Sequence, residues 1–445
     1  MKRYTTLSWL LGICLWTWPS PSPAGEASRV LSLDVALAIA LEQNPDVAEA
    51  QSRLAEAEAR LQTAKAGGRP TLKARGAYDY WTEDQRLFPA TQNGEPGAFG
   101  PQILGADLVA SFPLYTGGRV SGETDAADWN RKTAEEQLTR TRETLVYQVT
   151  ALFYGLLAQD EVLQSLETAV LSMDEQRRTI QALVDAEKSA RVDLLRANVR
   201  RAELYERQIR EQNNRAVQQR AWAALLGLDH ATAPVAQGKL ELRETPVCPE
   251  AEDCMKKALA QRSDYRATQA TVYAADAAVR AARAGYRPTL AAQASYGGRW
   301  MPEASDRPEG TDEQAEVGRV GLAAELPLFD GRLTAARVAE KTARRRGAQE
   351  RRRKLELQIR FEVETALSDI AAARERVQTS KQAVGQAEES FRIVTEKYDL
   401  GKGTMTDVLD AQTALVTTQT SHARALADLA VADARRKLAV GEILP

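Results

Sequence analysis

Four segments of the chain alternate between apolar and polar residues with a period of two. They lie at 72–80, 104–112, 290–296 and 319–326. In the first, Leu, Ala, Gly and Tyr side chains occupy one face, and mainly charged side chains occupy the other. Each segment has about ten residues, which is the length and the dyad pattern of a strand that crosses an outer membrane. The pattern therefore predicts four amphipathic β-strands, arranged as two hairpins.

A soluble hairpin packed on a helix would alternate in the same way, so alternation alone does not favour a membrane. Two further features do. The loops at 82–102 and 299–316 are rich in Gly, Pro and acidic residues, which suits segments that face solvent. The chain also begins with two basic residues, an apolar stretch too short to span a bilayer, and small residues before Gly25. Residues 1–24 are therefore predicted to be a secretory signal peptide.

Two other stretches, at about 120–187 and 332–399, have helical periodicity. Apolar residues recur there every three or four positions, and the stretches are rich in Ala, Leu, Glu, Arg and Gln, which favour helices. Neither stretch contains a proline. Helices of this length would be roughly 100 Å long. Two long helices of equal length predict side-by-side packing of the coiled-coil kind.

The chain is internally duplicated. Arg69-Pro70-Thr71-Leu72 recurs 218 positions later as Arg287-Pro288-Thr289-Leu290, and Asp193-Leu194-Leu195 matches Asp407-Val408-Leu409 at an offset of 214. Matches that keep their order over so long a stretch predict two structural repeats in a mainly α-helical chain with a transmembrane β part. We assign residues 25–245 to the first repeat, with a β-hairpin at 70–113 and a long helical hairpin at 120–227, and residues 246–445 to the second, with the corresponding hairpins at 288–327 and 332–440.

Composition disfavours several classes of function. The formal net charge of −2 offers no basic surface for nucleic acid. Only two histidines, His230 and His422, are available for a catalytic or metal centre, so we expect no enzyme, no metal site and no cofactor. Cys248 and Cys254 are the only cysteines after the predicted signal peptide. An even pair in an exported protein predicts a local disulfide; the alternative is two unpaired thiols.

Four strands are too few for a barrel in one chain. Single-chain barrels of the bacterial outer membrane start at about eight strands, and open sheet edges are not tolerated in lipid. If the strands span a membrane, several copies of the chain must combine them. Three copies would supply twelve strands and twelve long helical segments.

Several motifs occur along the chain in a recognisable order. They are Leu33-Asp34-Val35-Ala36-Leu37 with Asn44-Pro45-Asp46, the two Arg-Pro-Thr-Leu sequences, Phe112-Pro113-Leu114-Tyr115 followed by Gly117-Gly118, and Tyr398-Asp399-Leu400-Gly401-Lys402-Gly403-Thr404 followed by Asp407-Val408-Leu409-Asp410-Ala411. Taken together, residues 31–445 resemble the TolC family of outer-membrane efflux and secretion channels. The resemblance implies a homotrimer in which a twelve-stranded outer-membrane β-barrel continues into a periplasmic α-helical tunnel.

The resemblance also implies a function and a set of partners. The chain would be the outer-membrane channel subunit of a tripartite efflux pump or a type I secretion system in a Gram-negative bacterium, conducting substrates passively. A periplasmic adaptor protein and an inner-membrane transporter would supply docking and energy, and outer-membrane lipid would surround the barrel.

The turns between the long helices, at 188–192 and 400–406, are the points farthest from the strands and are predicted to form the periplasmic mouth. Three copies would place Asp193, Asp407 and Asp410 in a closely spaced ring. Rings of carboxylates favour cations and can hold a closed mouth through hydrogen bonds and ion pairs. An alternative role for Asp193 and Asp407 is to cap the helices that follow the turns.

The resemblance extends to the residues of this gate. Tyr398, Asp407 and Asp410 match the constriction that closes channels of the family, and opening would follow a shift of the helices on adaptor docking. An arginine that usually completes the network is replaced by Gly403, with Lys402 beside it. The exposed turns are the predicted adaptor-contact surface, made of Lys188, Ser189, Ala190, Arg191, Gly401, Gly403 and Thr404.

Two other classes of function compete with a channel. A soluble periplasmic coiled-coil adaptor or scaffold would also have an export signal and long helical hairpins; the duplicated strands, and retention in the membrane after salt and carbonate washing, distinguish the two. A periplasmic hydrolase would need a convergent nucleophile, base and orienting group, and the sequence shows no such set.

Overall fold

The computed structural model describes residues 30–87, 94, 96–229, 234–240, 251–302 and 314–444. Its helices and strands follow an order that occurs twice. The first half contains β1 (Val30–Leu31), α1 (Leu33–Gln43), α2 (Pro45–Ala66), β2 (Thr71–Arg86), β3 (Phe99–Tyr115), α3 (Arg119–Asp185), α4 (Arg191–Leu225) and β4 (Val235–Ala236). The second half contains α5 (Ala251–Gln261), α6 (Ser263–Arg283), β5 (Thr289–Trp300), β6 (Gln314–Glu325), α7 (Leu333–Asp399) and α8 (Met405–Val440).

Three of the expectations fall outside the described residues. These are the signal peptide at 1–24, the boundary between the repeats at 245 and 246, and Cys248. They stay predictions.

The two longest helices, α3 and α7, have 67 residues each, and both end at a tight turn. The buried residues of α3 follow the spacing seen in the sequence and include Leu145, Val149, Leu156 and Leu166. An apolar face packed against neighbouring helices stabilises a long helix more than intrinsic propensity does. Among the described residues, no helix combines the length and the apolar character needed to cross a bilayer.

The helices form a single layer with two edges. Helix α3 packs between α4 and α8, and α8 packs against α7. Nearer the strands, α2, α3, α6 and α7 are neighbours in that order. One edge of the layer is therefore formed by α2 and α4, and the other is formed by α7.

The four long strands form one antiparallel sheet with the order β2-β3-β5-β6, so its edge strands adjoin the edge helices. In the register, Leu108 lies opposite Ala74 in one neighbour and Tyr296 in the other. Residues directly opposite each other share a face of the sheet. The apolar faces predicted for the separate strands therefore coincide. This common face is exposed in the single chain, and Val320 on it is 88% exposed.

The strands are longer than the ten residues predicted from alternation, so the loops expected at 82–102 and 299–316 are shorter. Strands β2 and β3 have 16 and 17 residues, and β5 and β6 have 12 each. Beyond Tyr80 the register of the first hairpin shifts, and pairing resumes with Gln85 opposite Gly100. Strand pairing links backbone groups, so it continues into polar sequence that no longer alternates.

Candidate functional site

The two turns between the long helices have the same backbone geometry. We call residues 186–190, between α3 and α4, the first turn, and residues 400–404, between α7 and α8, the second turn. The Lys188 N–H donates to the Leu183 carbonyl at 2.8 Å, and the Lys402 N–H donates to the Lys397 carbonyl at 2.8 Å. Such bonds close the last turn of a helix when the preceding residue is left-handed. Glu187 and Gly401 fill that position, with φ of 59° and 72°.

The helices that follow the turns begin differently. In the second turn Thr404 and Asp407 form a capping box: the Asp407 N–H donates to Thr404 Oγ1 at 3.2 Å, and the Thr404 N–H donates to Asp407 Oδ2 at 3.1 Å. The Thr404 hydroxyl also donates to Asp407 Oδ2 at 2.6 Å, and this bond, followed by that from the Thr404 N–H, holds the pKa of Asp407 below its ordinary value. The matching residue of the first turn, Ala190, offers no side-chain cap. Asp193 instead accepts from the Ser189 hydroxyl at 3.5 Å and lies 3.7 Å from Arg196.

The capping box leads to a local prediction. Thr404→Ala should raise hydrogen exchange at the Asp407 amide about fivefold, because the lost cap costs about 1 kcal/mol. Exchange mass spectrometry of the peptide that spans the second turn measures it. Thr413→Ala is the control, since Thr413 is an exposed mid-helix threonine whose hydroxyl donates to the Leu409 carbonyl. Equal effects of the two substitutions on the turn would contradict the capping role.

Two side-chain contacts join the turn regions of the two helical hairpins. Tyr398, at the end of α7, is half-buried and its hydroxyl interacts with Ser189 of the first turn. Its burial, together with the negative charge of Asp193, raises the pKa of Tyr398 above its ordinary value. Arg196 of α4 donates to Thr406 Oγ1 of α8 at 3.1 Å. The four helices thus meet at their ends through polar as well as apolar contacts.

The predicted gate residues do not all come together in one chain. Tyr398 and Asp193 do, through Ser189, whereas Asp407 caps its own helix. Asp410 and Lys402 are exposed, and neither has a hydrogen-bonding or ion-pair side-chain partner among the residues that the structure describes. Of the predicted adaptor-contact residues, Ser189 and Gly403 are half-buried, and Lys188, Ala190, Arg191, Gly401 and Thr404 are exposed.

Further polar contacts between the hairpins lie away from the turns, and they were not predicted from the sequence. The Ser165 hydroxyl on α3 donates to Gln419 Oε1 on α8 at 2.6 Å. Glu211 of α4 is 7% exposed, accepts from Gln159 at 2.8 Å and lies 3.4 Å from Arg424 of α8. The sequence signal that could have indicated these contacts is Glu211, a glutamate at a position of α4 that is buried.

The ionisation of Glu211 is set by its partners. Burial by itself would raise the pKa of this carboxyl, but hydrogen bonds from Gln159 and Asn214, with the positive charges of Arg424 and Arg207, bring it below its ordinary value. A buried carboxylate with this many donors remains charged at neutral pH and joins α3, α4 and α8.

The predicted disulfide is described on one side only. Cys254 is fully buried in α5 and takes part in a disulfide bond. Cys248 lies outside the described residues, so its pairing with Cys254 stays a prediction.

Comparison with known proteins places the chain in a family. The family model described as "Outer membrane efflux protein" matches residues 36–229 and 254–442. Over 409 residues the chain is 23% identical to the outer membrane efflux protein BepC of Brucella suis, which covers 92% of this chain and 85% of BepC. Over 403 residues it is 28% identical to the cobalt-zinc-cadmium resistance protein CzcC of Cupriavidus metallidurans. That match covers 88% of this chain and 85% of CzcC. The solved CmeC outer membrane channel of Campylobacter jejuni matches with a TM-score of 0.79 at 16% identity, over 92% of this chain and 86% of that one. The chain therefore belongs to the outer membrane efflux protein family.

Proposed function

We propose that three copies of this chain assemble into one outer-membrane channel, in which four strands from each copy complete a twelve-stranded barrel. The family membership shows that the chain is an outer-membrane channel subunit for efflux, and it does not favour the soluble adaptor alternative. The trimer, the gate and the docking surface are the parts that we infer here.

The two free edges of the sheet are the observation that supports this assembly. Its edge strands, β2 and β6, each pair on one side only within the chain. The apolar face extends to both edges, where Leu72 of β2 and Leu322 of β6 are each 71% exposed. Unpaired backbone groups cannot be left in lipid, so each edge needs a strand from another copy. Joining β6 of one copy to β2 of the next closes the sheet.

The edge helices support the same joint. The exposed apolar residues of α4 recur mainly every three to six positions along the helix. Helix α7 exposes four large apolar side chains, of which Leu357 and Phe361 are the most exposed. Apolar stripes of this size mark protein interfaces. The α4 residues are Val192, Leu195, Val199, Tyr205, Ile209 and Val217.

The turns then surround the periplasmic entrance. In a trimer Asp407, Asp410 and Lys402, all exposed in one chain, would occur three times around the mouth and form its constriction. Opening would require the α7–α8 hairpin to move relative to α3–α4, which breaks the Tyr398–Ser189 contact. The turn residues would receive a periplasmic adaptor, which couples the channel to an inner-membrane transporter of an efflux pump or a type I secretion system.

The proposal predicts a trimer held by the edge helices. The mature protein in detergent should have about three times the mass of one chain and should stay in the membrane after carbonate washing. Val199→Asp, on the edge helix α4, should lower the dissociation temperature of the trimer, because it buries a charge in an apolar interface. Light scattering after chromatography measures the mass of each variant, and the same measurement on samples heated to increasing temperatures gives the dissociation temperature.

The matched control is Leu171→Asp. Leu171 is 60% exposed and Val199 is 59% exposed, but Leu171 lies on α3 in the middle of the layer. It should leave the trimer unchanged. A soluble monomer, or equal effects of the two substitutions, would overturn the proposed assembly.

A further inference from the structure

An arginine stands at every point where the chain passes between a helix and a long strand. Arg69 precedes β2, Arg119 follows β3, Arg287 precedes β5 and Arg332 follows β6. All four are exposed. Only two of the four positions, 69 and 287, belong to the repeated Arg-Pro-Thr-Leu motif. The other two lie outside that motif but at the same level of the fold.

The four junctions adjoin one another in the structure. A Cβ added to Gly68, at the first junction, would lie 3.3 Å from the first turn of α3. Arg287 at the third junction donates to the Gly117 carbonyl at the second, at 3.2 Å. A Cβ added to Gly285 would lie 2.8 Å from a side chain in the first turn of α7. The junctions therefore form one belt across the chain, just below the sheet.

The belt carries excess positive charge. Arg69 and Arg332 form no ion pair with any other residue that the structure describes, whereas Arg119 is paired with Glu123 at 3.0 Å. The Asp330 carboxylate near Arg332 accepts the Thr334 N–H at 2.8 Å. The bases of the belt are Lys65, Arg69, Arg119, Arg283, Arg287, Arg332 and Arg337, and its acids are Glu123, Glu325 and Asp330.

Large apolar side chains lie between these arginines and the sheet. Leu328, which is 91% exposed, and Phe329, which is 88% exposed, lie between β6 and Arg332, and Tyr115, also exposed, ends β3. Aromatic side chains next to basic residues are typical of the boundary between lipid and water. The opposite end of the sheet differs, because its connecting sequences are rich in acids. Over residues 82–102 and 299–316 the acids are Glu83, Asp84, Glu95, Glu303, Asp306, Glu309, Asp312, Glu313 and Glu316, against Arg86, Arg299 and Arg307.

We propose that this belt binds the phosphate groups of anionic phospholipids in the periplasmic leaflet of the outer membrane. The inference rests on the proposed function, which places the sheet in the membrane and the helices in the periplasm. A basic residue near an anionic membrane surface contributes attraction, and the apolar residues above the belt would contact the acyl chains. The lipid would hold the channel at a fixed depth where the barrel passes into the tunnel.

Native mass spectrometry of the detergent-purified protein tests the belt. Titration with phosphatidylglycerol should add more lipid per trimer than titration with phosphatidylcholine. Each belt arginine that is replaced by glutamine should weaken phosphatidylglycerol binding roughly fivefold. The variants are R69Q/R332Q, which leaves the Arg287–Gly117 contact intact, and R69Q/R287Q/R332Q.

The matched control is R351Q/R353Q/K354Q, which removes three exposed bases from α7 further from the strands. It should leave phosphatidylglycerol binding unchanged. Equal binding of the two lipids, equal loss in control and belt variants, or displacement of the lipid by inorganic phosphate would overturn the inference. The same spectra separate the two proposals: a monomer contradicts the assembly, whereas a trimer without lipid preference contradicts only the belt.

Discussion

Y398F/R196Q is expected to raise the single-channel conductance of the protein several-fold in planar bilayers. The double substitution removes the contact of Tyr398 with Ser189 and the hydrogen bond of Arg196 to Thr406, which join the two helical hairpins at their turns. Each of these polar contacts contributes about 1 kcal/mol, and the proposed trimer contains both of them three times. Moving a two-state equilibrium from mostly closed to mostly open takes about 5.5 kcal/mol. The lost contacts together are of that size.

The control for this prediction removes contacts within the hairpins instead of between them. Arg201 pairs with Asp174 between α3 and α4 at 2.8 Å, and Arg376 pairs with Asp428 between α7 and α8 at 3.0 Å. R201Q/R376Q should therefore leave the conductance unchanged. If both double variants conduct like the unaltered protein, the contacts between the hairpins do not hold the mouth.

Gly227→Ala is expected to destabilise the protein by about 3 kcal/mol or more. Gly227 follows α4 with φ of 71°, and an added Cβ would lie 2.7 Å from the Gln43 carbonyl carbon, at the end of α1. The left-handed conformation costs a residue with a Cβ about 1–2 kcal/mol, and displacing packed backbone adds typically 1–3 kcal/mol. The midpoint of thermal unfolding in detergent measures the loss.

Gly401→Ala separates the two causes. Gly401 has φ of 72°, nearly the same as Gly227, but nothing lies within 4 Å of an added Cβ. The Gly401→Ala variant should lose only the stability that the left-handed backbone costs a residue with a Cβ, about 1–2 kcal/mol. Equal losses at the two positions would show that the close approach of α1 to the end of α4 does not matter.

The faces of the sheet could be predicted from the sequence because alternation is a local property. Alternation places Leu108 and Tyr296 on the apolar faces of separate strands, and the register pairs them directly. The ends of the strands could not be predicted in the same way. After a register shift beyond Tyr80, pairing resumes at Gln85 and Arg86, where the side chains no longer alternate, since backbone hydrogen bonds do not depend on side-chain polarity.

Less of the candidate site at the turns could be predicted from the sequence. The duplication identified Asp193 and Asp407 as equivalent, yet only Asp407 takes part in a capping box, because Thr404 supplies the hydroxyl where the first turn has Ala190. The capping alternative could be read from the sequence. The contact of Ser189 with the end of α7 could not, since it joins positions more than 200 residues apart.

Equivalent contacts also arise from different residues. Asn44 donates to the Leu225 carbonyl at 2.9 Å, and Arg262, 218 positions later, donates to the Ala439 carbonyl at 3.2 Å. Both bonds attach a short helix to the end of a long helical hairpin. An amide and a guanidinium share no sequence signal, so only the structure shows that they act alike.

The sequence by itself determined the strands and their faces, the two long helices and the repetition of both, because these follow from periodic patterns of neighbouring residues. It also carried the motifs that resemble the channel family. The tertiary structure decided which polar side chains meet at the turns, which edges of the sheet and helical layer lie free, and that Arg69, Arg119, Arg287 and Arg332 share one belt. Those contacts depend on how distant segments pack, and packing brings together residues that no local pattern relates.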